Sequence, residues 1–258
     1  MADKILIESL HGGQVVRLTL NAPKANVLDA EMMADLQKAL DDLPKQPDVK
    51  LVQFTGAGDH FCFGASVAEH VREKAPAMLA QFHRLFYTLA DLAIPTAALI
   101  SGQCLGGGLE LALMCNFMFA DKSAKLGQPE IQLGVFAPPA SLLLPMKAGQ
   151  AKADELLLTG KVISAEAAAA IGLVAEVFDD REAMLAGVDA WVAKHIVPKS
   201  AVSLRHAVRA ARMEFNNVVK SKLAEQEKLY LDELMATEDA NEGIQSFLDK
   251  RKPEWKNK

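Results

Sequence analysis

Three consecutive glycines, Gly106-Gly107-Gly108, stand where an apolar strand pattern, Thr96 to Ile100, passes into a helical pattern, Leu109 to Asn116. A glycine run at a helix entrance presents backbone N–H groups that lack intrahelical acceptors, and such a place favours negative charge. Glu110 follows Gly107 by about one helical turn, and its side chain leans back over that turn. One spot can thus hold an oxyanion donor, the Gly107 N–H, beside a carboxylate. A second carboxylate, Glu130, closes Gly127-Gln128-Pro129-Glu130, after a short strand pattern from Phe117 to Ala120. The intervening length suits a helix and a return that bring the two acids together. An oxyanion hole with two acids can add or remove water next to a carbonyl. Gly-rich turns before helices are common and paired Glu residues are usually solvated, so a purely structural reading stays open. The setting of Glu110 argues against it. Leu109, Leu111, Ala112, Leu113 and Met114 surround it in sequence, where a carboxylate is costly without a partner or a task. Burial there would raise its pKa toward the range of acid–base work.

The chain has 258 residues, half of them apolar, enough for one large domain or a domain with an appendage. Its formal charge of -5 argues against a nucleic-acid-binding surface, which needs a basic excess. Cys62, Cys104 and Cys115 have neither paired nor metal-ligand spacing. They read as small buried filler in a reducing, cytoplasmic compartment. Met1-Ala2-Asp3-Lys4 opens directly into a strand pattern, with no signal-type apolar region and no apolar run of transmembrane length. The six His residues form no triad or metal cluster, and His70 and His83 read as surface or helix-face residues.

Ile5-Leu6-Ile7 and Val15 to Leu20 flank His11-Gly12-Gly13-Gln14 and predict a β-hairpin. Asp29 is placed to cap a helix whose apolar residues run from Met32 to Leu43. Val49 to Phe54 predicts a strand, Phe61 to Ser66 a second strand-to-loop transition, and Met78 to Leu92 a helix. After Glu130 come helices over Ala151 to Leu158 and Ser164 to Ile171, a strand over Leu173 to Phe178, and helix from Glu182 onward. Strand–helix units without a dinucleotide-binding fingerprint suggest stacked ββα turns rather than a doubly wound sheet. Residues 1–199 read as the core and 200–258 as a helical appendage. Its stripe of Leu223, Gln226, Leu229, Tyr230 and Leu234 is either one face of a solvated helix or docks on a neighbouring subunit.

Four segments carry a family resemblance over essentially the whole chain. Pro23-Lys24-Ala25-Asn26, Phe61-Cys62-Phe63-Gly64-Ala65-Ser66-Val67, Cys104 to Glu110 and Leu126 to Ile131 resemble, in order, four loops of the crotonase (enoyl-CoA hydratase/isomerase) superfamily. These are its early CoA loop, its two oxyanion-hole loops and its second-acid segment. The resemblance implies an α/β fold, a ββα spiral with a C-terminal α-helical trimerisation region, assembled as a homotrimer or homohexamer. It implies oxyanion-hole amides at Ala65 and Gly107 and an acid–base pair at Glu110 and Glu130. It implies CoA contacts at Lys24, Ala25, Gly64, Ser66 and Val67, and at Phe247 and Lys250 toward CoA bound mainly to a neighbouring subunit. No metal and no separate cofactor are implied, since CoA arrives as part of the substrate; nor is a nucleic-acid or membrane partner.

The chain departs from the family pattern twice. Ser66 stands where many members carry Asp, which removes a charged contact. Ala137-Pro138-Pro139 stands where straight-chain hydratases carry glycines, and Pro fixes φ where Gly permits almost any value. An acyl pocket walled by Ala137, Pro138 and Pro139 is therefore stiffer. This segment, together with Gly64 to His70 and Gly127 to Leu133, resembles the hydratases of cyclic dienoyl-CoA thioesters in anaerobic aromatic degradation. The expected reaction is hydration of cyclohexa-1,5-diene-1-carbonyl-CoA. A short-chain 2-enoyl-CoA hydratase is the first rival, and a non-catalytic CoA-ester or RNA-binding protein of the same fold the second.

Overall fold

The computed structural model describes residues 3–258, so the reading of the opening segment applies from Asp3 onward; Met1 and Ala2 lie outside the described residues. β1 (Ile5–Leu10) and β2 (Val15–Leu20) form the expected antiparallel hairpin, with Ile5 opposite Leu20 and Leu10 opposite Val15. The Asp29 carboxylate accepts from the Met32 amide at 2.9 Å and starts α1 (Ala30–Asp42). Then follow β3 (Leu51–Gly56), α2 (Ala75–Leu92), β4 (Thr96–Ile100), β5 (Gln103–Leu105) and α3 (Gly107–Met114). β6 (Phe117–Asp121) and β7 (Lys125–Gly127) lead through a 3-10 turn, Pro129–Leu133, into α4 (Pro138–Ala148). α5 (Gln150–Thr159), β8 (Val162–Ser164), α6 (Ala165–Ala170) and β9 (Glu176–Phe178) complete the core. Four helices follow: α7 (Arg181–His195), α8 (Ala201–Ala211), α9 (Met213–Lys228) and α10 (Glu238–Leu248).

The large sheet has the order β1-β2-β3-β4-β6-β9 and is parallel beyond the hairpin; a small sheet has the order β5-β7-β8. The chain visits them in turn: β4, β5, α3, then β6, β7, α4. The first such turn is β3, the Phe61–Ser66 segment and α2. There the expected strand shrinks to an isolated parallel bridge between Cys62 and Cys104, which extends the small sheet by one position. The chain is thus a stack of ββα turns, as expected.

Parallel strands covered on both faces read as continuous apolar runs, and these do. Val52, Phe54, Ala98 and Ile100 pack on the side of α1 and α2, while Leu51, Ala97, Leu99 and Phe119 face Met184, Val188 and Val192 of α7. The alternation is the two-residue period of a strand. Cys62, Cys104 and Cys115 are free and buried, the filler role expected of them.

Three expectations need correction, and two short strands go beyond what the sequence predicts. Helix α2 starts one turn before Met78, because Pro76 is favoured at a helix start, where its missing N–H has no intrahelical acceptor to lose. β5 and β7 have only three residues each, too few for any period to show in the sequence. Pro138 and Pro139 are the first residues of a helix rather than a plain wall segment. Finally, the C-terminal stripe is not one solvated face: Leu223 and Tyr230 are buried within their own chain, whereas Leu229 is exposed. Val219, Leu223, Tyr230, Met235, Ala240 and Ile244 belong to the main core of their own chain. Polar ties reinforce this: Arg205 donates to the Gln46 and Val49 carbonyls, Arg212 to Met114 and Cys115, and Asn216 to Ala90. The physical reason is the gap between α2 and α4, which α9 fills.

Candidate active site

The two acids meet because the two short strands are paired. β5 and β7 are parallel and in register, Leu105 opposite Gly127, so both leave the small sheet at the same end. Beyond Leu105 lies the glycine run with Glu110; beyond Gly127 lies Gln128-Pro129-Glu130. The Gly106 amide donates to the Gly127 carbonyl at 3.0 Å and extends this pairing to the point where the chains diverge.

The loop that carries Ala65 is fixed from the other side. Phe63 N–H donates to the Ala25 carbonyl, Leu28 N–H to Gly64 and Ser66 N–H to Leu28, at 3.0, 3.0 and 3.2 Å. Asn26 is fully buried and anchors the Pro23–Asn26 loop by donating to the Ala57 and His60 carbonyls. Among the described residues, the amides of Ala65 and Gly107 enter none of these loop hydrogen bonds. A Cβ on Gly107 would lie 3.0 Å from the Ala65 nitrogen and 3.2 Å from Phe82 Cζ, filling the space between the two donors. A Cβ on Gly106 would lie 2.5 Å from Glu130 Oε1. One glycine of the run therefore leaves open space between the Ala65 and Gly107 amides, and its neighbour admits the second carboxylate.

The axis of α3 is polarised to suit. Its N-terminal amides face the hole, and its C-terminal carbonyls are met by cations. Arg212 reaches Met114 and Cys115 at 2.9 and 2.7 Å, and Lys147 Nζ reaches Cys115 at 2.6 Å. Burial, with Arg212 adding to it, lowers the Lys147 pKa to about 8.

Glu110 is 3% exposed. Burial and then the nearby Glu130 charge push its pKa well above the usual carboxylate range, while the Ala140 N–H, donated to Glu110 Oε1 at 2.9 Å, pulls the other way. Pro138 and Pro139 have no N–H, so Ala140 supplies the first amide that α4 can offer, and it goes to Glu110. Burial raises Glu130 to about 7. With its amide nitrogen turned toward the carboxylate, buried Gln128 donates to both Glu130 oxygens at 3.0 and 3.1 Å. Burial thus pushes both carboxyls toward their protonated forms, and the charge of Glu130 pushes Glu110 further the same way.

One cavity gathers Gly64, Ala65, Val67, Gly107, Glu110, Glu130, Ala137 and Pro138. Pro139 is buried but does not line it. Ser66 lies beside the cavity, its carbonyl accepting from His70 Nδ1 at 2.8 Å. Lys24 is exposed on the anchored loop, and Ala25 holds that loop to Phe63. Phe247 and Lys250 are exposed at the end of α10, outside the cavity, although Ile244 of the same helix lines it. Sequence reasoning passed over several cavity residues. The sequence reads His70 as a surface or helix-face residue, yet it lines the cavity; its place beside the Ala65 loop is the available signal. Phe82, Phe136, Tyr230 and Ile244 complete the apolar walls. No local signal marks these four, since they converge from α2, the segment before α4 and the C-terminal region.

Comparison with known proteins agrees with this geometry. Residues 11–258 match the family described as Enoyl-CoA hydratase/isomerase. The chain is 46% identical over 246 residues to a cyclohexa-1,5-dienecarbonyl-CoA hydratase of Thauera aromatica, covering 95% of this chain and 94% of that protein. It is 35% identical over 256 residues to a probable enoyl-CoA hydratase of Mycobacterium bovis, covering 98% of each. Among solved structures, an enoyl-CoA hydratase from Mycobacterium avium superposes over the full length of both chains with a TM-score of 0.87 at 23% identity, a likeness of fold.

Proposed function

The chain belongs to the enoyl-CoA hydratase/isomerase family and is a hydratase; from that premise we propose that its substrate is cyclohexa-1,5-diene-1-carbonyl-CoA, in the anaerobic degradation of aromatic compounds. The observation that carries this reading is the stiff, aromatic-lined acyl end of the cavity, where Pro138 opens α4 beside Phe136 and Phe82. A flexible chain gains little from such a wall, whereas a planar ring loses less freedom on binding and is selected by shape. The similarity to the Thauera aromatica protein supports the same reading.

In this mechanism the thioester oxygen sits between the Ala65 and Gly107 amides. Each donor contributes about 3–4 kcal/mol to the charged transition state. Glu110 removes a proton from water while its oxygen bonds to a β-carbon of the ring. The electron pair of that double bond moves onto the thioester oxygen as an extended enolate. Glu130 then protonates the far carbon of the second double bond. The enolate collapses to 6-hydroxycyclohex-1-ene-1-carbonyl-CoA, a net 1,4-addition of water. The reaction draws on no group beyond the thioester, the water and these residues. Lys24, Ala25, Ser66, Phe247 and Lys250 are assigned to the CoA portion. The working form is a homotrimer or homohexamer, for which exposed Val202, Met213 and Phe247 offer apolar contact. Among the described residues no helix is long and apolar enough to cross a membrane.

Hydration of the cyclic diene and of crotonyl-CoA, measured side by side on purified protein, tests the reading. The diene is expected to be the better substrate by a wide margin, and hydration in heavy water to place deuterium at the remote ring carbon. Preference for crotonyl-CoA, or deuterium next to the thioester, would replace the ring reading with an ordinary short-chain hydratase.

A further inference from the structure

The mechanism above leaves two polar side chains of the cavity unused, His70, which bonds the Ser66 carbonyl, and Tyr230. Tyr230 is 1% exposed, yet among the described residues its hydroxyl has no hydrogen-bond partner. A buried hydroxyl left alone is destabilising, and a native protein keeps one mainly where a ligand completes it. Tyr230 lines the same cavity as Glu110 and Glu130. Its ring is held in place, with the Phe136 ring 5.4 Å away at 67°. It sits in a five-residue π-helical turn, Leu229–Glu233, that follows α9. Such turns shift side chains out of the helical register and recur at functional sites.

The electrostatics define what the hydroxyl can do. Burial, then Glu130, then Glu110 raise its pKa above that of a free phenol. The group therefore keeps its proton at working pH and acts as a donor, not a base. It is close enough to feel both carboxylates and bonds directly to neither. An oxygen atom placed between them would have three polar partners, the number that typically holds an ordered water.

We infer that the Tyr230 hydroxyl donates a hydrogen bond to the oxygen atom that moves between water and substrate. During hydration the proton leaving water goes to the carboxylate pair and the oxygen bonds to carbon; Tyr230 transfers no proton and fixes where that oxygen lies. In the reverse direction the C–O bond breaks, its electron pair stays on oxygen, and the Tyr230 O–H meets the developing negative charge. This role rests on the hydratase chemistry of the two acids and not on the shape of the acyl group.

Tyr230→Phe keeps the ring and removes only the oxygen. It is assayed with whichever thioester, cyclic diene or crotonyl, the wild-type protein hydrates faster, so failure of the ring assignment leaves this test intact. The expected result is a kcat lower by about 10- to 100-fold with KM for the unsaturated thioester little changed. The hydroxylated product thioester should bind about 10-fold more weakly, while a saturated acyl-CoA without the hydroxyl binds as before. Phe136→Leu, which alters an apolar wall of the cavity and removes no polar group, should affect both ligands alike. Wild-type turnover with unchanged product affinity in Tyr230→Phe overturns the inference. Equal weakening toward both ligands does so too, by reducing Tyr230 to part of the wall.

Discussion

The two ends of the cavity are built by different means. The end proposed to hold the thioester oxygen, called the oxyanion end, is made of backbone: the Ala65 and Gly107 amides, set by loops whose own hydrogen bonds run between neighbouring segments. The acyl end is made of side chains, Phe82, Phe136, Pro138, Tyr230 and Ile244, drawn from elements far apart in the chain. Backbone donors read only the thioester carbonyl, which every substrate of this class shares. Side-chain walls read the acyl group, which differs. The comparison teaches that reaction type and substrate choice are separable here, and substitutions at each end should separate them.

The largest effect is expected at the acids, which serve both ends. Glu130→Gln keeps the shape and removes proton transfer, and should lower kcat by about 100- to 10,000-fold for every thioester tested while leaving thioester binding largely intact. Near-wild-type turnover would remove Glu130 from the mechanism. Next comes the backbone end. Gly107→Pro deletes an oxyanion donor and should cost at least about 100-fold, again irrespective of the acyl group. Circular dichroism must first show a folded protein; a folded variant that still turns over efficiently would rule out this hole.

The acyl end should respond differently. Pro138→Gly is expected to change the ratio of kcat/KM for the cyclic diene over crotonyl-CoA by about 10-fold, with a smaller effect on the better of the two rates. Uniform loss for both substrates would collapse the distinction between the ends.

A stability measurement sharpens the comparison from another side. The Glu130 carboxyl stays protonated in the folded chain up to about 7 but ionises near 4.5 in the unfolded chain. The folded state therefore binds more protons between these values, and stability falls as pH rises from 4.5 through 7. Glu130→Gln removes that loss, by on the order of 3 kcal/mol as an upper bound. Its melting temperature should exceed the wild type's more at pH 8 than at pH 4.5. A gain independent of pH would show that the carboxyl is not held protonated by its surroundings. The smallest effect is expected outside the cavity: Lys24→Ala or Lys250→Ala should raise KM a few-fold and leave kcat unchanged, since exposed charges contribute about 0–1 kcal/mol.

Much of the oxyanion end was legible in the sequence. Glycines and a Glu within one turn leave few arrangements open, and Asp29 and Ser164 mark helix starts that the structure confirms at each residue. The second acid was legible as a residue but not as a geometry, because β5 and β7 are too short to leave a pattern. The solvated reading of the C-terminal stripe failed at Leu223 and Tyr230 for a related reason. An amphipathic helix shows that it will bury one face, not against what.

The sequence by itself determined the elements of the large sheet and the family, and it singled out the two acids and the two amides as candidates, because each depends on a local period or a contiguous motif. Only the tertiary structure decided that Ala140 bonds to Glu110, that Gln128 holds Glu130, and that Tyr230 and His70 line the cavity. Those facts rest on contacts between residues far apart in the chain, whose partners are set by how the ββα turns and the C-terminal helices pack. No local pattern encodes them, and they are what gives the acyl end its shape.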